Sequence, residues 1–249
     1  MDKKKIDGKT SVTFTGKAQA ATDQEVIIYG GSNIKRIRGI ATMNPNSMLI
    51  GNATRLMELE CTGATLLTDI NSNKANLSPN SYLSKVNLNG CSALGGSLRI
   101  NNSPLIQEID IKGTSIENII FPTSLRNLKV LKIPSTIKSL TLNNLNLLTN
   151  IDRDEGEPLQ ELNLTNCSGL NIDNLNLEQI SKVLLDNTFN SEIELRFINT
   201  VDLTLKNMLN LERVIYEPNN EYEEFNMETL TSSKNYTINI SSCPKLKDF

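Results

Sequence analysis

The chain of 249 residues contains no histidine and no tryptophan, and aromatic residues make up only 4% of it. Without imidazole there is no histidine base and no Ser-His-Asp triad. Zinc also loses its usual nitrogen ligand, and the four cysteines do not form the close pairs that a thiolate site uses. No metal and no cofactor is therefore expected. No apolar run reaches the ~18 residues that suggest a membrane-spanning helix. The net charge is −3 with both signs interspersed. No stretch is basic enough, or interleaved with enough aromatics, to argue for a nucleic-acid surface. A Gly-rich phosphate loop ending in Gly-Lys is missing as well.

What the chain does contain is a twelve-residue phrase that returns nine times. It reads apolar, two variable, apolar, one variable, apolar, one variable, a turn former, a small residue, two variable, apolar. Clear copies run from Leu83 to Leu94 and from Leu159 to Leu170. The copies start at Asp23, Leu56, Leu83, Ile106, Ile137, Leu159, Ile180, Thr200 and Asn235. A phrase repeated at this spacing indicates stacked similar units.

Three columns of the phrase carry its physics. The fourth position holds Val26, Leu59, Val86, Ile109, Leu140, Leu162, Val183, Leu203 and Ile238. The sixth holds Ile28, Cys61, Leu88, Ile111, Leu142, Leu164, Leu185, Leu205 and Ile240. Apolar residues two apart have the period of a strand with one buried face. The eighth holds Gly30, Gly63, Gly90, Gly113, Asn144, Asn166, Asn187, Asn207 and Ser242. Gly and Asn tolerate positive φ, so this column marks where each coil leaves its strand. The abundant Asn is read as structural, with side-chain amides stacked along the turns. The longer steps leave room for extra segments at Ile34–Ile37, Leu128–Ile133 and Leu211–Tyr216.

The phrase resembles the leucine-rich repeat, with its cysteine variant at Cys91, Cys167 and Cys243. The likeness covers Asp23 to Leu246. The irregular length, the abundant Asn and turns such as Gly90-Cys91-Ser92 and Asn166-Cys167-Ser168 resemble leucine-rich-repeat proteins of gut Bacteroidota. Segments such as Tyr29–Ile37, Asn52–Leu59 and Leu131–Leu145 resemble repeat proteins of the crAss-like bacteriophages of those hosts. The resemblance implies a bacteriophage virion component (tail, fibre or head-associated) making protein or host-surface contacts. Its alternative is a Bacteroidota surface adhesion protein.

The fold expected is a mainly β repeat solenoid, a leucine-rich-repeat-like right-handed coil with one parallel sheet and little helix. Residues 1–22 form an N-terminal cap or tail, with the alternation Val12-Thr-Phe14-Thr, and residues 23–249 form about nine coils. One helical turn fits within Leu175–Leu185. Three rungs of about 4.8 Å separate successive members of the Cys91, Cys167, Cys243 column. A disulfide spans Cα separations only up to about 7 Å. All four thiols, Cys61 included, are expected to be reduced and buried.

The outward positions form a candidate binding ribbon: Glu58, Glu60, Lys85, Asn87, Glu108, Asp110, Thr141, Glu161, Asn163, Lys182, Asp202 and Asn239. Lys85 falls between Glu58 and Glu108, and Lys182 between Glu161 and Asp202, which reduces like-charge repulsion across rungs. Tyr29 is the one aromatic platform, which argues against a sugar groove. Glu58, Glu60, Glu108 and Asp110 have the spacing a polysaccharide-cleaving carboxylate pair needs. Acids alternating on a strand are common decoration, and no enzyme is expected. Asp152–Glu157 begins like a calcium loop but lacks its later ligands, and it reads as a solvated turn. Glu217–Phe225 reads as an acidic turn, with Tyr222 and Phe225 packing on the core or, in the alternative, contacting a partner.

The N-terminal Met-Asp-Lys-Lys-Lys has no apolar run behind it, so it is not a secretory signal. The protein stays where it is made, leaves as part of an assembly, or is a fragment of a longer chain. The last copy is complete at Leu246 without a capping element after it. Ile238, Ile240, Leu246 and Phe249 therefore form a candidate assembly end for a protein partner or a second copy. A host-surface polymer is a further candidate partner. Nucleic acid and membrane insertion are not expected.

Overall fold

The computed structural model describes residues 31–40, 44–123, 125–171, 175–189, 192–217 and 236–249. The expected N-terminal cap, the first copy of the phrase with Tyr29, and the Tyr222 and Phe225 packing lie outside these residues.

In chain order the strands begin with β1 (Arg36–Ile37), β2 (Ser47–Met48), β3 (Glu58–Glu60), β4 (Asp69–Ile70), β5 (Lys85–Asn87) and β6 (Gly95–Arg99). There follow β7 (Glu108–Asp110), β8 (Ser115–Ile120), β9 (Val130–Ile133), β10 (Ser139–Asn143), β11 (Asn150–Arg153) and β12 (Glu161–Thr165). The last are β13 (Lys182–Asp186), β14 (Glu194–Phe197), β15 (Asp202–Lys206), β16 (Arg213–Tyr216) and β17 (Thr237–Ser241). Described helix is limited to short 3-10 turns, among them Leu177–Gln179 within the span expected to hold one turn.

Every strand pair is parallel, and the chain winds as a parallel β-solenoid of about eight turns. Each turn lays one strand on each of two sides. The first side carries the six-stranded sheet β1-β3-β5-β7-β9-β11, continued by the pair β14-β16. The second carries the pairs β2-β4 and β6-β8 and then the five-stranded sheet β10-β12-β13-β15-β17.

Period-two alternation fixes the register. Leu59, Val86, Ile109, Leu131 and Ile151 stack in line on the first side, all buried. Leu140, Leu162, Val183 and Leu203 do the same on the second, with Leu142, Leu164, Leu185 and Leu205 beside them. Both rows point into one continuous core. A one-residue slip would turn a whole row outward, so the burial of both rows specifies the pairing. Buried polar side chains tie coil to coil at the corners. Asn80 Nδ2 donates to the carbonyls of Ile50 and Ala53 at 2.9 and 3.0 Å, and Ser103 Oγ to that of Asn80 at 3.0 Å. Thr188 and Thr200 reach the carbonyls of Cys167 and Ile180 at 3.0 and 2.7 Å.

The eighth column behaves as its residue types require. Gly63, Gly90 and Gly113 have φ of 76°, 74° and 65°, and Asn144, Asn166, Asn187, Asn207 and Ser242 lie between 49° and 59°. All four cysteines are free. Cys61, Cys91 and Cys167 are buried, and burial pushes each thiol pKa up. Cys243 is only half-buried, contrary to the expectation, because among the described residues no rung packs over the coil that holds it.

Two further expectations need correction. The pairing is divided between the two sides, where one sheet was expected. The segments read as extras, Ile34–Ile37 and Leu128–Ile133, supply β1 and β9 of the six-stranded sheet, and Leu211–Tyr216 supplies β16. A coil holds two strand-and-turn units, and the phrase fits either. The second, third and fourth copies lie on the first side, whereas the fifth to the ninth lie on the second.

Candidate functional site

That change of side breaks the candidate ribbon in two. Glu58, Glu60, Lys85, Asn87, Glu108 and Asp110 stand on β3, β5 and β7 on the first side. Thr141, Glu161, Asn163, Lys182, Asp202 and Asn239 stand on the second-side sheet. The strand beside β7 is β9, which sets Val130 against Glu108 and Lys132 against Asp110. Within each half the expected neighbours do meet. Lys85 lies between Glu58 and Glu108, Lys182 between Glu161 and Asp202, and Asp186 beside Lys206.

The first half is a network of ion pairs between rungs. Arg36 and Arg38 both reach Glu58, and Arg38 also approaches Glu60 at 3.7 Å. Lys85 pairs with Glu108, and Lys132 lies 3.6 Å from Asp110. Lys112 contacts Asp152 at 2.9 Å and Asp154 at 3.6 Å. The hydrogen bond from Arg38 holds the Glu58 carboxyl below the usual carboxylate range. Hydrogen bonds from Lys85 to Glu108 and from Lys112 to Asp152 raise both ammonium pKa values. Arg36, Arg38, Lys132, Asp152 and Asp154 were missing from the expected ribbon, and Lys112, an outward position of the phrase, was not among its candidate binding residues. The charges in and beside the extra segments point to Arg36, Arg38 and Lys132, whereas no such mark attaches to Asp152 and Asp154.

This arrangement bears on the carboxylates considered for catalysis. A general acid near neutral pH needs a raised carboxyl pKa, commonly through burial. Here Glu58 is shifted the other way, and Glu60, Glu108 and Asp110 each face a cation. The acidic stretch from Asp152 is also more than a solvated turn. Asp152 and Arg153 belong to β11, and Asp154 Oδ2 accepts the Gly113 N–H at 2.6 Å. Gly63 and Gly90 donate instead to the next coil's carbonyls, at Asn89 and Lys112. The coil after Gly113 turns through Pro134 and Ser135, and the Asp154 carboxylate takes that acceptor role. Among the described residues no group of three His, Cys, Asp or Glu is placed to hold a metal ion.

The second half is held differently. Asn166 Nδ2 donates to Asn144 Oδ1, and Asn187 Nδ2 to Asn166 Oδ1, both at 3.0 Å. Asn207 Nδ2 then donates to Asp186 Oδ1 at 2.8 Å. Among the described residues the charged side chains of β12, β13 and β15 make no ion pair within 4.0 Å.

At the end of this sheet lie the expected assembly residues. Ile238 is 41% exposed, whereas its register partner Leu203 is fully buried. Ile240, Cys243 and Leu246 are half-buried, and Phe249 is 60% exposed, stacked on Tyr216 with ring centres 6.0 Å apart. The chain after β17 crosses to the first side, where Val214 N donates to Asp248 O at 3.0 Å and begins another rung. Among the described residues no helix is long and apolar enough to cross a membrane.

The fold and these two surfaces define a parallel β-solenoid with one ion-paired side and one amide-laddered side. Comparison with protein-family models, with curated proteins and with solved structures finds no match.

Proposed function

We propose that this chain is a structural and recognition module that works by adding a further β rung at the coil ending in β17. The exposure of Ile238 carries this reading. The row that is buried at Leu140, Leu162, Val183 and Leu203 is here exposed to solvent at Ile238. Edge strands that must stay single usually carry a lysine, a proline or a bulge. β17 reads Thr-Ile-Asn-Ile-Ser and has none of these. Its sequence is uncharged and close to palindromic, which suits pairing with a second copy about a two-fold axis. The resemblance of the repeat phrases to bacteriophage leucine-rich-repeat proteins supplies the setting, a virion component joining protein to protein or to a host surface.

Light scattering on the 249-residue chain, beside the variant Ile238→Lys, tests the reading. The expected result is a discrete oligomer that the lysine converts to monomer with unchanged circular dichroism. A monomer in both, across the micromolar range, overturns it.

A further inference from the structure

The second side is interrupted twice, and among the described residues the chain fills only one interruption itself. Between β4 and β6 the segment Ala75–Leu77 is laid in as an extra rung. Ala75 pairs with Ile70 and Asn76 with Arg99, both parallel. Arg99 N donates to Ala75 O and Leu77 N to Arg99 O, each at 2.8 Å. Ala75 and Leu77 are completely buried. Backbone pairing plus small apolar side chains at alternate positions is thus how this molecule closes such a gap.

Between β8 and β10 no described segment plays that part. The turn before β10 touches β8 where Thr136 Oγ1 donates to Ile116 O, and the two strands themselves do not pair. The backbone polarity of the seam follows from the ladders beside it. Glu161 N donates to Lys138 O and Asn144 N to Thr165 O, so the even-numbered residues of β10 turn toward β12. In a parallel ladder the alternate residues face the other way, which aims the N–H and C=O of Ser139 and Thr141 into the seam. Likewise Ile120 O accepts from Ile100 N on the β6 edge, which leaves Ile119 facing the seam. No described residue bonds the Thr141 or Ile119 backbone from across it. Two linked hollows lie there. One of about 170 Å³ is lined by Ile119, Phe121, Ile137, Leu140 and Thr141. The other, about 610 Å³, has Glu117, Glu157 and Lys138 at its mouth.

We propose that this seam binds an extended, basic peptide segment of another chain by strand addition. The occupant is a peptide because unpaired backbone donors and acceptors line the seam, and because the molecule fills its other gap with one. Small apolar side chains at alternate positions enter over Ile119 and Leu140. Basic side chains meet Glu117 and Glu157, two exposed carboxylates in no ion pair with a described residue; the cations beside them are Lys138 and the half-buried Arg153, whose Nη2 donates to the carbonyls of Ser135 and Glu157 at 2.9 and 2.6 Å.

The probe is a fluorescein-labelled hexapeptide, Lys-Ala-Asn-Leu-Lys-Lys, patterned on Lys74–Leu77, with Glu-Ala-Asn-Leu-Glu-Glu as its counterpart. Fluorescence anisotropy with the full chain is expected to show saturable binding of the basic peptide below about 1 mM and weaker binding of the acidic one. Thr141→Pro removes a seam-facing N–H that β12 does not use, a placement proline tolerates in strands. It is expected to weaken binding about tenfold. The double variant Glu117→Lys with Glu157→Lys changes only exposed side chains and is expected to reverse the preference between the peptides. Absence of saturation with the basic peptide, equal binding of both, or an unchanged preference in the double variant would overturn the proposal. These readouts do not depend on the β17 end, so the two readings fail separately.

Discussion

On the first side of the coil the turn after β3, β5 and β7 is made by glycine. On the second, the turns after β10, β12, β13 and β15 are made by asparagine. Both reach the left-handed backbone conformation, with φ from 49° to 76°. Glycine reaches it without strain but contributes no side chain, so successive turns pack backbone on backbone. A Cβ at Gly113 would stand 3.3 Å from Gly90 Cα, and one at Gly90 would stand 3.5 Å from Gly63 Cα. Lateral order on that side comes from ion pairs between neighbouring strands. Asparagine accepts some backbone strain and returns a ladder of amide hydrogen bonds through Asn144, Asn166 and Asn187. One architecture is thus locked by charge on one side and by neutral amides on the other, which predicts different responses to crowding, amide loss, salt and acid.

The largest effect is expected at the glycine turns. Gly113→Val places a β-branched residue at φ 65° and pushes its Cβ against the Gly90 backbone. Left-handed strain alone costs about 1–3 kcal/mol, and the crowding adds to it. Urea unfolding should show a clearly lowered midpoint with an unchanged slope. A variant as stable as the parent would mean that the glycine turns are not tightly stacked.

The amide ladder comes next. Asn166→Ala removes the group that bonds both Asn144 and Asn187 and leaves an alanine at φ 52°. Asn166→Gly makes the same deletion without the strain. Loss of the amide should cost about 1–2 kcal/mol in both, with alanine the worse by up to about 1 kcal/mol. Thermal unfolding of the pair separates the two contributions. Equal stability of alanine and glycine variants would show that asparagine is there for its hydrogen bonds alone.

How much of this was legible beforehand follows the same division. The left-handed column was readable because only residues tolerating positive φ occupy it, and every described member has that geometry. The buried rows were readable because period-two alternation has one burial solution. The side of the coil was not readable, since a strand-turn unit looks alike on either side. Yet the sequence carries a mark of it, because the column changes from Gly113 to Asn144 across a long step. Hence the ribbon residues meet the expected neighbours from rung to rung but stand on two sides of the coil. The seam at β8 and β10 was hidden because it depends on a bulge at Gly96/Ser97 and on where β8 finds its partner, which no local pattern encodes. Asp154 was misread for a related reason, since its partner Gly113 is two coils away.

A smaller effect is expected from the cations of the first side. Lys112→Met leaves Asp152 and Asp154 without their shared partner. Such partly exposed pairs contribute no more than about 1 kcal/mol and are screened by salt. The variant should lose stability in dilute buffer and approach the parent near 1 M salt. Lys182→Met, whose side chain forms no ion pair with a described residue, should match the parent at both. A salt-independent deficit at Lys112 would assign its role to packing of the alkyl stem.

The smallest effect is in acid, and its sign is fixed by Glu58. The hydrogen bond from Arg38 holds this carboxyl below its ordinary value. An unfolded glutamate titrates near ~4.3. A depressed carboxyl contributes stability that is complete above that unfolded value and is lost as pH falls through the lower folded one. Solvent exposure keeps the contribution small. Glu58→Gln should therefore be slightly less stable than the parent at neutral pH, and the difference should close below about pH 4. On the second side Glu161 has no cation within ion-pair distance among the described residues, and Glu161→Gln should follow the parent throughout. Paired urea titrations at neutral and acid pH measure both. A Glu58 deficit that persists in acid would mean that the first side is held by the shape of its stacked strands, not by their charge, and the contrast between the two sides would reduce to their turns.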